Sequence, residues 1–190
     1  MSPVLIEDEH IEGKNFTEQT LAKGEYENCH FVRCNFSNVY LSQITFAECV
    51  FEHCDFSMCN MANTTLRDVR FKDCKMLGIH FESCNPFLLA MGFEACQLNL
   101  SSFYKLNLKQ TVFKDCRLRE VDFSEANLSG STFDDCDFLG AIFDQTVLEK
   151  TDFRTAFNYS IDPENNRIKK AKFSAVGIAG LLDKYDIEVS

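Results

Sequence analysis

The chain has 190 residues, 45% of them hydrophobic, and its 29 acidic and 19 basic side chains leave a formal net charge of −10. This is enough for one domain with its own core, and the acidic balance opposes the phosphate attraction on which nucleic-acid binding depends. No apolar run reaches the length of a membrane span, and the first residues lack the basic head and apolar stretch of a signal peptide. We therefore expect a soluble, cytoplasmic protein that binds neither nucleic acid nor membranes directly.

Large apolar residues recur at every fifth position in two blocks. The first block runs from Phe16 to Phe81 and the second from Phe93 to Phe153, and Pro86 stands where the first block would continue. A period of five matches neither the 3.6 of a helix nor the 2 of a strand. The chain must therefore turn once in each repeat, although it contains only eight Gly and three Pro.

The position two residues before each large residue is a second regular feature. It is mostly small or β-branched, and all ten cysteines occupy it. Residues two apart on an extended segment point to the same side. Each repeat therefore has two inward side chains, one bulky and one small, and three that face water.

A longer period predicts the architecture. The large residues match in kind at a spacing of twenty, as at Phe93, Phe113, Phe133 and Phe153. Four repeats then close one coil, and successive coils lie about 4.8 Å apart. This predicts a four-sided β-helix of about seven coils, roughly 35 Å long, with stacked rings filling its interior.

The repeat unit, such as Ala126-Asn-Leu-Ser-Gly130, resembles that of the pentapeptide-repeat family over residues 16–156. The resemblance implies an all-β fold, a right-handed quadrilateral β-helix with a short C-terminal helix. We divide the chain into a β-helix over residues 1–157, with a break near 85–90, and a C-terminal segment over 158–190. That segment would hold a loop, a partial coil and a capping or dimerisation helix.

Proline cannot donate to a sheet ladder, so Pro86 predicts a bulge between the two blocks. We expect Phe87 to pack inside the β-helix there. The alternative is a small functional protrusion.

The C-terminal helix is expected to begin at Ser174, a favourable N-cap, and to continue through Lys184. It contains Gly177 and Gly180, which weaken an isolated helix, so it must dock. It either caps one monomer or forms the seam of a two-fold dimer. Quinolone-resistance members of the family end similarly and dimerise through this segment, so the resemblance implies a homodimer. The expected seam residues are Ile178, Leu181, Leu182, Tyr185, Ile187 and Val189.

The cysteines invite metal, disulfide and redox interpretations. Three cysteines of the first block are spaced by twenty, as are the three of the second: Cys34, Cys54 and Cys74; Cys96, Cys116 and Cys136. Such neighbours lie within disulfide range, but buried cysteines in a reducing compartment act as small hydrophobic residues. We favour structural thiols over an oxidation sensor or a metal site. No catalytic set or phosphate-binding loop is recognisable, so we expect a protein that is not an enzyme and has neither metal nor cofactor.

Acidic side chains are frequent at outward positions of the second block, and we predict that they form one acidic corner that binds a partner. The residues of this corner are Glu94, Asp115, Asp122, Glu125, Asp134, Asp135, Asp144 and Asp152. The corner is either a solvated surface or an imitation of duplex DNA. A net charge of −10 over roughly 35 Å is about one charge per 3.5 Å, about half the density of duplex DNA.

The resemblance also implies a partner. Members of the Qnr type and the mycobacterial type occupy the DNA-binding surface of a type II topoisomerase, DNA gyrase, and relieve quinolone poisoning. The stretch 76–84 is similar to a segment of these members, and the near-continuous repeat is closer to the mycobacterial type, which lacks the loop insertions of the longer Qnr proteins. The alternative function is a general scaffold for a different bacterial protein.

Overall fold

The computed structural model describes residues 4–187. Short strands follow one another along the chain, with 3-10 helices at the break and near the C-terminus. The strands are β1 (Val4–Glu7), β2 (His10–Glu12), β3 (Gly24–Glu27), β4 (His30–Val32), β5 (Thr45–Ala47), β6 (Val50–Glu52), β7 (Thr65–Arg67), β8 (Val69–Lys72), β9 (Met91–Glu94), β10 (Val112–Lys114), β11 (Thr132–Asp134), β12 (Asp152–Phe153) and β13 (Lys172–Phe173). The 3-10 helices are η1 (Phe81–Ser83), η2 (Gly177–Leu181) and η3 (Asp183–Tyr185).

The strands pair in parallel, each with the strand one coil away. One sheet has the order β1-β3-β5-β7 and the other the order β13-β12-β11-β10-β9-β8-β6-β4-β2. Phe113 pairs with Phe133 at the predicted spacing of twenty, and isolated bridges such as Ser102 with Asp122 continue the spacing where regular strands are absent. The result is a parallel β-solenoid of about 8 turns, against the roughly seven coils predicted.

Each coil has four sides, which we number in chain order. On one coil their buried centres are Leu108 (side 1), Phe113 (side 2), Leu118 (side 3) and Phe123 (side 4). The four-stranded sheet lies on side 1 and the nine-stranded sheet on side 2. Residues ten apart are separated by half a coil, so sides 2 and 4 are opposite.

The corners explain how the chain turns with so little Gly and Pro. Residues two after the buried centres adopt left-handed backbone angles, as at Gln110 (φ 60°), Asp115 (φ 54°), Glu120 (φ 55°) and Glu125 (φ 56°). Such angles are uncommon outside glycine. They are sustained here because each corner is tied to the next coil: the Asp115 N–H, for example, donates to the Asp134 carbonyl at 2.8 Å.

The interior is a stack of rings. Phe113 and Phe133 are stacked with centroids 4.8 Å apart and planes inclined by 20°, and Phe103 and Phe123 stack at 5.2 Å. Rings of sides 2 and 4 also meet across the interior, since Phe113 and Phe123 are edge-to-face at 6.2 Å. Offset and edge-to-face pairs of this kind each add about 0.5–1.5 kcal/mol beyond their buried area.

All ten cysteines are free and buried. Six of them lie on side 3 in one column that crosses the break, because the Gln97 N–H donates to the Cys74 carbonyl and so stacks Cys96 on Cys74. The column consists of Cys34, Cys54, Cys74, Cys96, Cys116 and Cys136. Elsewhere, burial raises the pKa of the Cys49, Cys59 and Cys84 thiols to about 12, which suppresses the reactive thiolate.

The break inserts two residues into one coil. β8 pairs with β9 at a spacing of twenty-two, Phe71 with Phe93, and the ladder of side 2 continues without loss. The prediction that Phe87 packs inside is wrong, since this side chain is 69% exposed. The interior already contains Phe81 and Phe93, whose rings meet edge-to-face at 5.7 Å, and the extra residues therefore bulge outwards.

Partial coils are present at both ends, as expected. β1 pairs with β3 at the first coil, and β13 pairs with β12 at the last. The Ser174 Oγ accepts the Gly177 N–H at 3.0 Å, but the N-cap of η2 is Val176 rather than the predicted Ser174. The segment forms the short η2 and η3 rather than one regular helix through Lys184. No helix within residues 4–187 has the length and apolar character needed to cross a membrane.

Candidate protein-interaction surface

The predicted acidic corner divides into two groups. Five of its residues lie on side 2 or at the corner after it: Glu94, Asp115, Asp134, Asp135 and Asp152. The other three lie on side 4 or at the corner after it: Asp122, Glu125 and Asp144. The structure therefore does not bring the eight residues together at a single corner.

The separation follows from the period. Phe113 and Phe123, around which the two groups were placed, are half a coil apart, and their rings meet inside the β-helix at 6.2 Å. Residues that flank them face outward on opposite sides. The molecule thus has two acidic surfaces where the sequence interpretation had one.

Several of the carboxylates are engaged in ion pairs. Glu94 accepts from Lys114 at 2.8 Å, and Asp152 contacts Arg154 at 2.7 Å and Lys172 at 3.5 Å. Hydrogen bonding to Arg154 lowers the pKa of Asp152 to about 2. These residues stabilise the surface locally and present little free negative charge to a partner.

Three carboxylates on side 2 and its following corner differ from these. Asp115, Asp134 and Asp135 are exposed, and none of them forms a salt bridge within residues 4–187. Within residues 4–187 the Asp134 carboxylate accepts only the Thr155 hydroxyl, at 2.9 Å. They lie on two successive coils, which the Asp115 N–H joins to the Asp134 carbonyl. We call these three residues the carboxylate cluster.

Side 4 extends its acidic row farther than the sequence interpretation placed it. Asp162 and Glu164 lie one coil beyond Asp144, and Lys184 contacts both at 2.7 Å. Asp162 follows Asp122 by forty residues and Glu164 follows Asp144 by twenty, so the coil period could have placed both on side 4. This placement was missed because the loop after residue 157 interrupts the repeat.

The expected dimer seam is partly exposed. Ile178, Tyr185 and Ile187 are exposed, while Leu181 and Leu182 are half-buried; Val189 lies outside the described residues. Val176, which the sequence interpretation omitted, is 91% exposed. The C-terminal segment therefore presents an apolar surface at the end of the β-helix.

Metal chemistry has no geometric support in the part of the chain that the structure describes. No group of three or more His, Cys, Asp or Glu side chains is placed there to hold a metal ion. The cysteine column runs through the interior, whereas His53 and His80 are exposed.

These features define a parallel β-solenoid with a five-residue repeat and a filled interior. The family model for the pentapeptide repeat region matches residues 25–86 and 88–158. The chain belongs to the pentapeptide-repeat family, and the predicted quadrilateral β-helix is confirmed.

Solved structures of QnrB1, a plasmid-mediated fluoroquinolone resistance protein, share the fold. A trypsin-treated variant matches with a TM-score of 0.64 and 17% identity over 100% of both chains. The full-length protein matches with a TM-score of 0.61 and 17% identity over 97% of this chain and 100% of its own. No curated protein sequence matches this chain.

Proposed function

We propose that this protein is a non-enzymatic protein-interaction module that acts in the cytoplasm, where its ten thiols stay reduced. We propose further that it binds the DNA-binding surface of DNA gyrase, or of a related type II topoisomerase, and protects that enzyme from quinolones. The β-helix would approach the enzyme in place of duplex DNA.

The carboxylate cluster is the observation that carries this proposal. Its three exposed carboxylates form no salt bridge within residues 4–187, and backbone bonds between coils fix their positions. A surface that binds duplex DNA presents cations spaced for a regular array of phosphates. Complementary charges steer association and select the partner more than they raise affinity, so a rigid acidic array favours a DNA-binding protein over an uncharged one.

Two further features support it. Asp122 and Asp144 on the opposite side 4 form no salt bridge within residues 4–187, so the molecule carries free negative charge on two sides, as duplex DNA carries charge on two strands. The fold also matches the whole length of QnrB1 and 97% of this chain. QnrB1 is described as a fluoroquinolone resistance protein.

We also propose that the exposed C-terminal residues pair two copies about a two-fold axis. Val176, Ile178, Tyr185 and Ile187 are apolar or aromatic and lie on one short segment. An isologous contact uses the same patch twice, and two β-helices joined end to end would double the length of the acidic rod.

A supercoiling assay with purified gyrase, in the presence and absence of ciprofloxacin, tests the function. The wild-type protein should restore supercoiling in ciprofloxacin, and changing Asp115, Asp134 and Asp135 together to Lys should abolish the rescue. Changing Asp8, Glu48 and Glu120 to Lys is the matched control, since these are also exposed carboxylates, lie at the corners after sides 1 and 3 rather than beside the carboxylate cluster, and change the net charge equally. Equal rescue by both variants, or none by the wild type, would show that the partner is a different protein.

A further inference from the structure

The two-residue insertion at the break opens a groove on the outside of the β-helix. The groove has a volume of about 630 Å³ and lies where side 1 meets side 2, along residues 68–72, 89–94 and 107–114. Elsewhere on side 2 the strands pair at a spacing of twenty, but β8 and β9 pair at twenty-two. The irregular coil is therefore the floor of the groove.

Gly92 leaves that floor open. The outward residues that precede successive buried phenylalanines on side 2 are Arg70, Gly92, Val112 and Thr132. A Cβ built on Gly92 would meet only the Val112 carbonyl oxygen, at 3.8 Å, and Gly92 does not have a left-handed backbone angle. The backbone does not require glycine here, so its effect is to create space between Arg70 and Val112.

The groove is cationic although the molecule is acidic. Its walls carry Arg70, Lys72, Lys109 and Lys114 against Asp68 and Glu94. Lys114 is engaged with Glu94 at 2.8 Å, whereas Arg70, Lys72 and Lys109 form no salt bridge with any residue between 4 and 187. Free positive charge thus lines a concave surface with an apolar floor.

We propose that this groove binds an acidic, extended peptide segment of a protein partner. Arg70 and Lys109 lie two coils apart along the axis, roughly 10 Å at the ordinary strand spacing, and are also offset by three residues across the coil, which lengthens their separation. Carboxylates four residues apart on an extended chain point to the same side of it and are about 13 Å apart, whereas one phosphate is too small to contact both cations.

The groove recognises such a segment through side chains. The backbone of the floor is already paired, since the Arg70 N–H donates to the Cys49 carbonyl at 3.0 Å and the Asp73 N–H to the Glu94 carbonyl at 2.9 Å. A bound peptide therefore adds no strand to the sheet. Its carboxylates contact Arg70, Lys72 and Lys109, and a small apolar residue between them lies over Gly92 and against Val112.

Selection of peptides from a random display library, about twelve residues long, tests the proposal directly. The wild-type protein should enrich peptides with Asp or Glu four positions apart. Gly92→Phe fills the groove and should weaken their binding at least about tenfold by fluorescence polarisation, as should Arg70→Glu combined with Lys109→Glu. Thr132→Phe is the matched control, because it places the same ring at the equivalent outward position two coils away, outside the groove, and should bind normally.

Four results of the peptide experiments would overturn the proposal. The first two are failure to enrich any peptide and enrichment of neutral or basic peptides. The third is unchanged peptide binding by Gly92→Phe when its melting temperature matches that of Thr132→Phe. The fourth is displacement of the peptide by inorganic phosphate but not by chloride at equal ionic strength. Loss of self-association in Gly92→Phe would instead identify a second copy as the occupant, against the proposal. The Lys variant of the carboxylate cluster should still bind the peptides, so this proposal and the gyrase proposal fail independently.

Discussion

Gly180 lies directly against Tyr159: a Cβ built on the glycine would be 2.1 Å from the tyrosine carbonyl oxygen. Gly177 contacts the same residue, with its ideal Cβ 2.2 Å from the tyrosine hydroxyl. The Ile161 N–H donates to the Gly180 carbonyl at 2.9 Å. The two glycines that weaken the C-terminal segment as a helix are therefore the residues that let it pack onto the end of the β-helix.

Substitution of Gly180 by Ala should detach this cap. The added methyl group cannot avoid backbone atoms of Tyr159, so we expect a loss of about 1–3 kcal/mol in unfolding free energy, as for other overpacked sites. Urea denaturation and limited proteolysis after residue 173 would measure it. Gly92→Ala is the control, since its Cβ has room, and equal stability of the two variants would contradict the packing described here.

The stacked interior predicts a sharp contrast between two phenylalanines. Phe133 is buried between Phe113 and Phe153, at centroid distances of 4.8 Å and 5.0 Å, and Phe133→Ala should cost about 3–5 kcal/mol. Phe87→Ala should change stability by less than about 0.5 kcal/mol, because that side chain is exposed. Denaturant midpoints decide the matter, and a large effect at Phe87 would mean that its ring is covered in solution.

The buried thiols predict a loss of stability at high pH. Burial raises the pKa of Cys49, Cys59 and Cys84 to about 12, from an ordinary 9.0. The native state therefore holds these protons more tightly than the unfolded state does. The resulting stabilisation is fully present below about pH 9 and is lost as the pH rises towards 12. Unfolding free energies measured in a reducing buffer between pH 7 and 11 should fall, and a flat profile would argue against burial.

The same burial predicts slow thiol chemistry. A thiol reagent such as DTNB should label the native protein only as fast as the β-helix opens, and all ten cysteines should react at once in denaturant. The control is the same protein with Phe133→Ala, which should be labelled faster because it opens more often. Rapid stoichiometric labelling of the native wild type would contradict this burial and support the alternative hypothesis that the cysteines act as an oxidation sensor.

The proposed dimer depends on a few exposed residues. Ile178→Asp should convert a dimer to a monomer, because a charge would be buried without a partner at the two-fold contact. Sedimentation velocity measures this directly. Leu100→Asp is a suitable control, since Leu100 is also exposed but lies at the corner after side 3, about three coils before the C-terminal segment. A wild-type protein that sediments as a monomer at all concentrations would refute the seam.

Most of the fold was predictable because one physical period governs it. The spacing of twenty between Phe113 and Phe133 predicted which rings stack. The cysteine positions predicted which small side chains fill the interior between the rings. The insertion was harder to interpret, since hydrophobicity alone placed Phe87 inside and gave no account of an interior already occupied by Phe81 and Phe93. The same strict spacing concealed that Cys74 and Cys96, twenty-two apart, belong to one column.

The candidate surface was less predictable. The sequence interpretation assigned Asp115 and Asp122 to one corner, although they lie about a third of a coil apart. Side-chain contacts, such as that of Arg154 with Asp152, decide which carboxylates remain without an ion pair. The repeat period does not specify these contacts. The groove over Gly92 depends on how the bulge is accommodated, and no repeat pattern encodes that.

Competition for gyrase between this protein and duplex DNA tests the central claim most directly. A fluorescently labelled duplex bound to gyrase would be titrated with the purified protein, and its anisotropy followed at two salt concentrations. We expect displacement of the duplex by the wild type, weaker at the higher salt, and none by the Lys variant of Asp115, Asp134 and Asp135. A duplex that stays bound throughout the titration would contradict the account.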